Sequence, residues 1–176
     1  MQILIIRHAP AEDREEFANT NQPDALRPLT SKGKAKMHQN IQGLQHLVPQ
    51  IDCITTSPLI RAKQTAALLA SAYPNAKLKI LPALAPAGSE SVILTYLQKM
   101  AQTIQTIALV GHEPDLGELT AWLLSRQLND WIFLKKGGAC LLEFIEEVKA
   151  GKAELGWLLK PKELRQLAKS KASLTF

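Results

Sequence analysis

Three stretches of this 176-residue chain end an apolar run at side chains able to hold or attack an oxyanion. In Ile3-Leu4-Ile5-Ile6-Arg7-His8 the run stops at a permanent cation and an imidazole that can be neutral near pH 7. Ile51 to Thr56 leads directly into Ser57-Pro58-Leu59-Ile60-Arg61. Serine followed by proline predicts a helix starting here with Ser57 as cap, which sets Arg61 in a first turn among free backbone N–H groups. Thr106-Ile107-Ala108-Leu109-Val110 ends at Gly111-His112. Taken singly, each junction has a plainer reading: Arg7 ending a strand, His8 in a turn, Arg61 paired with a surface carboxylate. Taken together, they would supply two guanidiniums and two imidazoles to one site.

That convergence requires a particular frame. Unalternated Ile/Leu runs predict central strands covered on both faces, as in a parallel α/β sheet, where ligands bind at the carboxyl ends. Between the strands, Thr30 or Ser31 caps a helix with an apolar stripe of Ala35, Ile41, Leu44 and Leu47 that Pro49 stops. His38 and His46 on that helix are read as structural or surface residues. The helix after Ser57 is predicted to run to about Tyr73. Leu78 to Leu81 forms a short strand, and Ser89 or Ser91 opens a helix buried through Val92, Ile93, Tyr96, Leu97 and Met100. Another helix carries Leu116, Leu119, Leu123 and Leu124. Residues 139–145 and 154–159 predict an antiparallel hairpin at one side of the sheet, and Pro161 starts a last helix. The expected fold is a three-layer α/β/α sandwich with a mostly parallel sheet and an antiparallel edge, one domain spanning 1–176.

Composition narrows the partners. The chain is 46% hydrophobic, sufficient for one packed core, and no apolar run approaches the roughly 20 residues of a membrane span. Without a secretory signal or a disulfide framework, Cys53 and Cys140 are read as buried thiols of a cytoplasmic protein. There is no zinc-spaced Cys/His cluster and no Gly-rich nucleotide loop, so no metal or cofactor is expected. The formal charge of +5 favours an anionic partner. The basic residues Lys160, Lys162, Arg165, Lys169 and Lys171 lack an aromatic platform, which argues against nucleic acid. The acidic residues Glu12, Asp13, Glu15 and Glu16 are read as a solvated face.

The ordered set Ile5-Ile6-Arg7-His8, Arg27-Pro28-Leu29-Thr30, Ser57 to Thr65, Leu81-Pro82, Gly111-His112-Glu113-Pro114 and Trp157-Leu158-Leu159-Lys160-Pro161 resembles the histidine phosphatase superfamily, also called phosphoglycerate mutase-like. Within it the chain looks like the small phosphohistidine phosphatase branch, the SixA type. The resemblance implies His8 as nucleophile, Arg7, Arg61 and His112 gripping the transferring phosphoryl group, and Arg27 as an accessory phosphate ligand. It further implies a metal-independent hydrolase acting on a phosphohistidine-bearing protein, such as a phosphotransfer domain, with inorganic phosphate as product.

Two departures qualify that implication. Ala9 stands where most of the superfamily has glycine. Ala83 stands where many ester-cleaving relatives place a glutamate acid, which an alkoxide leaving group needs and a protonated imidazole does not. A phosphoramidate substrate follows, unless Glu90 or Glu113 supplies the proton. The rival readings are a phosphomonoesterase of a small metabolite and a non-catalytic phosphoprotein-binding module.

Overall fold

The computed structural model describes residues 1–172, excluding the side chains of 171 and 172, so Lys171 of the basic stretch lies outside the described side chains. In chain order the elements are β1 (Gln2–Arg7), α1 (Arg14–Ala18), α2 (Ser31–Leu47), β2 (Cys53–Thr56), α3 (Ile60–Ala72) and β3 (Lys77–Ile80). They continue with α4 (Glu90–Met100), β4 (Thr106–Gly111), α5 (Asp115–Ser125), β5 (Ala139–Glu143), β6 (Glu154–Leu159) and α6 (Pro161–Ala172). Short 3-10 turns lie at Asp24–Leu26 and Pro82–Leu84. One mixed sheet of order β3-β2-β4-β1-β5-β6 runs through the molecule. Its first four strands are parallel, while β5 and β6 form the antiparallel side.

Burial explains why β1 lacks polar alternation. Ile3 and Ile5 enter a core under α4 and α5, whereas Leu4 and Ile6 enter the opposite core under α2, α3 and α6. All four are fully buried, each burial contributing about 1.5–3 kcal/mol. The same division recurs in β4, where Ile107 and Leu109 face one core and Ala108 and Val110 the other. Cys53 and Cys140 are buried free thiols. Among the described residues no helix is long and apolar enough to cross a membrane.

Several local expectations are corrected. Helix α3 begins at Ile60, with Leu59 and not Ser57 at the cap position; Ser57 Oγ, one turn earlier, accepts from the Leu59 N–H at 3.3 Å and also meets His112 Nε2. On α2 the buried stripe is Gly33, Met37, Asn40, Ile41, Gly43 and Leu44; Ala35 and Leu47 are exposed. The face is shifted because α6 packs backbone-close on α2, and a Cβ at Gly43 would strike the carbonyl of Leu164. On α4, Val92 is exposed, while Ile93, Leu97 and Met100 are buried. Ser89 precedes α4 without a side-chain capping bond, since its hydroxyl pairs with that of Ser91. Thr30, as expected, caps α2 by accepting from the Gly33 N–H at 2.8 Å.

Candidate active site

The parallel register brings the three junctions to one edge. Arg7 lies opposite Gly111, and Thr56 opposite Val110, so the residues that follow each strand emerge side by side. Backbone bonds fix that alignment: the His8 N–H donates to the Gly111 carbonyl at 3.0 Å, and the Ser57 N–H to the Val110 carbonyl at 2.9 Å. A cavity of about 490 Å³ opens there, lined by Arg7, His8, Arg27, Arg61 and His112 among others. Every residue expected at the site is on its wall.

The imidazoles of His8 and His112 sit 5.2 Å apart between ring centroids, and both residues are buried. His8 Nδ1 lies 2.7 Å from the carbonyl of Ala9. A carbonyl can only accept, so Nδ1 carries the proton and the Nε2 lone pair is left available. Burial, seconded by the charges of His112, Arg61 and Arg7, pushes the His8 pKa down to about 3 against the opposing Ala9 bond. Burial and then Arg61 lower that of His112 to about 4. Both rings are therefore neutral near pH 7. His112 Nε2 is 2.8 Å from Ser57 Oγ.

The cations are held from behind. Arg7 Nη1 donates to the Leu134 carbonyl at 2.9 Å, and Arg61 Nη1 to the Asp24 carbonyl at 2.9 Å. Arg7 Nε, Arg61 Nε and His112 Nδ1 are buried and have no hydrogen-bond partner. Orphaned buried polar atoms are costly, and all three belong to residues that line the cavity. Asp24 adds a carboxylate to the wall: it pairs with Arg61 Nη2 at 3.1 Å and Arg27 Nε at 2.7 Å. Burial would raise its pKa, but the Arg27 hydrogen bond and the Arg61 charge outweigh burial and hold it low. Arg27 also donates to the Glu12 carbonyl at 2.7 Å. The acidic segment is thus part of the rim, since Glu12 and Asp13 both line the cavity.

Of the two alternative acids, Glu113 lines the cavity and Glu90 does not. Burial pushes the Glu113 carboxyl up to about 7, against the Leu134 N–H that donates to Oε1 at 3.0 Å and the charge of Arg7. Ala83 is in the Pro82–Leu84 turn and is absent from the wall. Ala9 is fully buried without a positive φ, so its methyl group is accommodated in an ordinary backbone conformation. Sequence reasoning missed Asp24, Lys136 and the role of Ser57. The Asp24-Ala25-Leu26-Arg27 spacing was the one usable signal, an acid and a base one turn apart.

Residues 3–87 match the family described as histidine phosphatase superfamily (branch 1). An uncharacterized protein of Picosynechococcus sp. is 38% identical over 139 residues, covering 78% of this chain and 82% of the relative. Phosphohistidine phosphatase SixA of Escherichia coli is 29% identical over 126 residues, covering 70% of this chain and 74% of that protein. Among solved structures, the protein histidine phosphatase SixA complexed with tungstate superposes with a TM-score of 0.78 at 24% identity, over 93% of this chain and 99% of that one. The fold is shared with the alpha-ribazole phosphatase from Shigella flexneri, TM-score 0.67 at 20% identity over 92% of this chain and 97% of that one.

Proposed function

Because this chain belongs to the histidine phosphatase superfamily, we propose that it removes the phosphoryl group from a phosphohistidine on a protein, through a covalent intermediate on His8 and without a metal. The observation that carries the reading is the neutral His8 ring, its Nε2 lone pair free, beside His112 in a cavity walled by Arg7 and Arg61. The transferring phosphoryl spreads negative charge over its equatorial oxygens, so positioned cations and donors account for most of the catalysis. Arg7, Arg61 and His112 take that role, with Arg27 as an outer ligand released from Asp24. His8 Nε2 attacks phosphorus in line as the P–N bond of the substrate breaks, and the leaving imidazole, protonated from solvent on its other ring nitrogen beforehand, departs neutral. Water then attacks the phosphohistidine, freeing His8 and inorganic phosphate.

Resemblance to phosphohistidine phosphatase SixA and the alanine at position 83 favour a phosphoramidate. One observation favours a phosphomonoesterase instead: Glu113, on the cavity wall and half protonated near pH 7, can supply the proton an alkoxide needs. The deciding experiment offers the purified protein a protein phosphorylated on histidine and, separately, a panel of sugar, glycerate and nucleoside phosphates. Faster release of phosphate from phosphohistidine, with acid-labile label trapped on the unsubstituted protein and absent from His8→Ala, is the expected result. A clear preference for an ester overturns the substrate, and label persisting in His8→Ala overturns the nucleophile.

A further inference from the structure

Between α5 and β5 the chain exposes large apolar side chains beside the cavity. Leu128 is 58% exposed, Trp131 59% and Phe133 53%. Their exposure is imposed by an anchored backbone. Ile132 and Leu134 alternate with them and are 4% and 1% exposed in the core beneath. An extended chain sends neighbouring side chains to opposite sides, so Trp131 and Phe133 could turn inward only if Ile132 and Leu134 came out. The backbone is tied on both sides of Leu134: its N–H donates to Glu113 Oε1 and its carbonyl accepts from Arg7. Two residues on, the Gly137 N–H is shared between the carbonyls of Arg7 and His8, 3.1 Å from each.

This apolar patch is continuous with the phosphoryl site. The Phe133 ring centroid lies 5.2 Å from the Arg7 guanidinium and 5.0 Å from the Lys135 ammonium. Lys136 lines the cavity, whereas Glu12 and Asp13 stand on its wall with the opposite charge. We propose that this segment is the docking surface for the phosphorylated protein itself, whose complement is an apolar side chain flanked by carboxylates next to the phosphohistidine. A small phosphate ester held in the cavity cannot cover residues that point into solvent at more than half their area, but a protein partner burying about 800 Å² can. Exposed aromatics flanked by cations are the composition of interface anchors. The inference rests on the phosphohistidine reading and refines it by making the substrate a macromolecule recognised outside the pocket.

The test compares two substrates of one chemistry, phosphoimidazole and an isolated phosphotransfer domain phosphorylated on its single histidine. Trp131→Ala, Leu128→Ser and Lys135→Glu lie outside the proposed catalytic machinery, and thermal melting checks that each folds. The expected result is a KM for the phosphorylated domain raised about tenfold or more, with kcat/KM for phosphoimidazole within about twofold of the unsubstituted protein. Equal effects on both substrates, or none on the domain, overturn the proposal. So does sedimentation revealing a dimer of the unsubstituted protein that Trp131→Ala dissociates, because the patch would then belong to a second copy of this chain. If the unsubstituted protein cleaves esters and neither phosphoramidate, the phosphohistidine reading is what has failed, and the docking surface falls with it.

Discussion

At the scale of residues, the site is organised by two histidines kept neutral and one carboxyl kept protonated well above its ordinary range. His8 is held to about 3 and Glu113 to about 7. For the free protein, kcat/KM for phosphohistidine should rise as pH climbs through the His8 value with no decline tied to Glu113, whereas for a phosphate ester it should decline above about 7 as Glu113 loses its proton. Glu113→Gln should abolish that decline and lower the plateau for the ester alone, and pH–rate profiles of both proteins on both substrates check it. Stability follows by linkage. Unfolding raises both histidines toward 6.5, so the unfolded chain binds more protons and each histidine weakens the fold as pH falls below that value. Glu113 acts oppositely, since its proton favours the folded state between about 7 and 4.5 and is lost as pH rises. Acid destabilisation from pH 7 to 5 should therefore be steeper in Glu113→Gln, as urea titration at the two pH values would read. Arg7, His8 and Arg61 could be found from residue type and position after a strand. Asp24 was legible only through its spacing to Arg27; its pairing with Arg61, which reaches it from α3, was not.

At the scale of elements, the turn at Asp24–Leu26 and the contact of α2 with α6 each place something the site depends on. Asp24 neutralises Arg27 and Arg61, the groups proposed to grip phosphate. Asp24→Asn should tighten inorganic phosphate binding several-fold, measured by calorimetry at fixed ionic strength, since the same guanidiniums then meet no competing carboxylate. Unchanged binding would mean that they are not phosphate ligands. On α2, Gly43 lies against the Leu164 carbonyl, and Asn40 donates to the Gly137 carbonyl at 2.9 Å while accepting from Arg165. Gly43→Val should cost about 1–3 kcal/mol in urea unfolding by forcing α6 away. The amphipathic pattern of α2 was legible, but its phase was not. Periodicity credits Ala35 and Leu47, whereas two small residues and an asparagine are buried because another backbone comes close.

At the scale of the whole molecule, one sheet carries both cores, and β1 contributes to each. Ile5→Ala and Ile6→Ala empty opposite sides of it and should each cost about 2–5 kcal/mol. If the chain is a single cooperative domain, both shift one transition, seen alike by far-UV circular dichroism and tryptophan fluorescence. Two separated transitions would divide the molecule. The order of elements, the parallel strands and the sheet edge where chemistry gathers were determined by the sequence alone, because buried strands must be apolar throughout and loops at their carboxyl ends are free to hold polar groups. Tertiary structure alone decided that Ser57 meets His112, that Glu113 and not Glu90 reaches the cavity, and that Trp131 and Phe133 remain in solvent. Those outcomes depend on distances between segments far apart in the chain, which no local pattern of residues encodes.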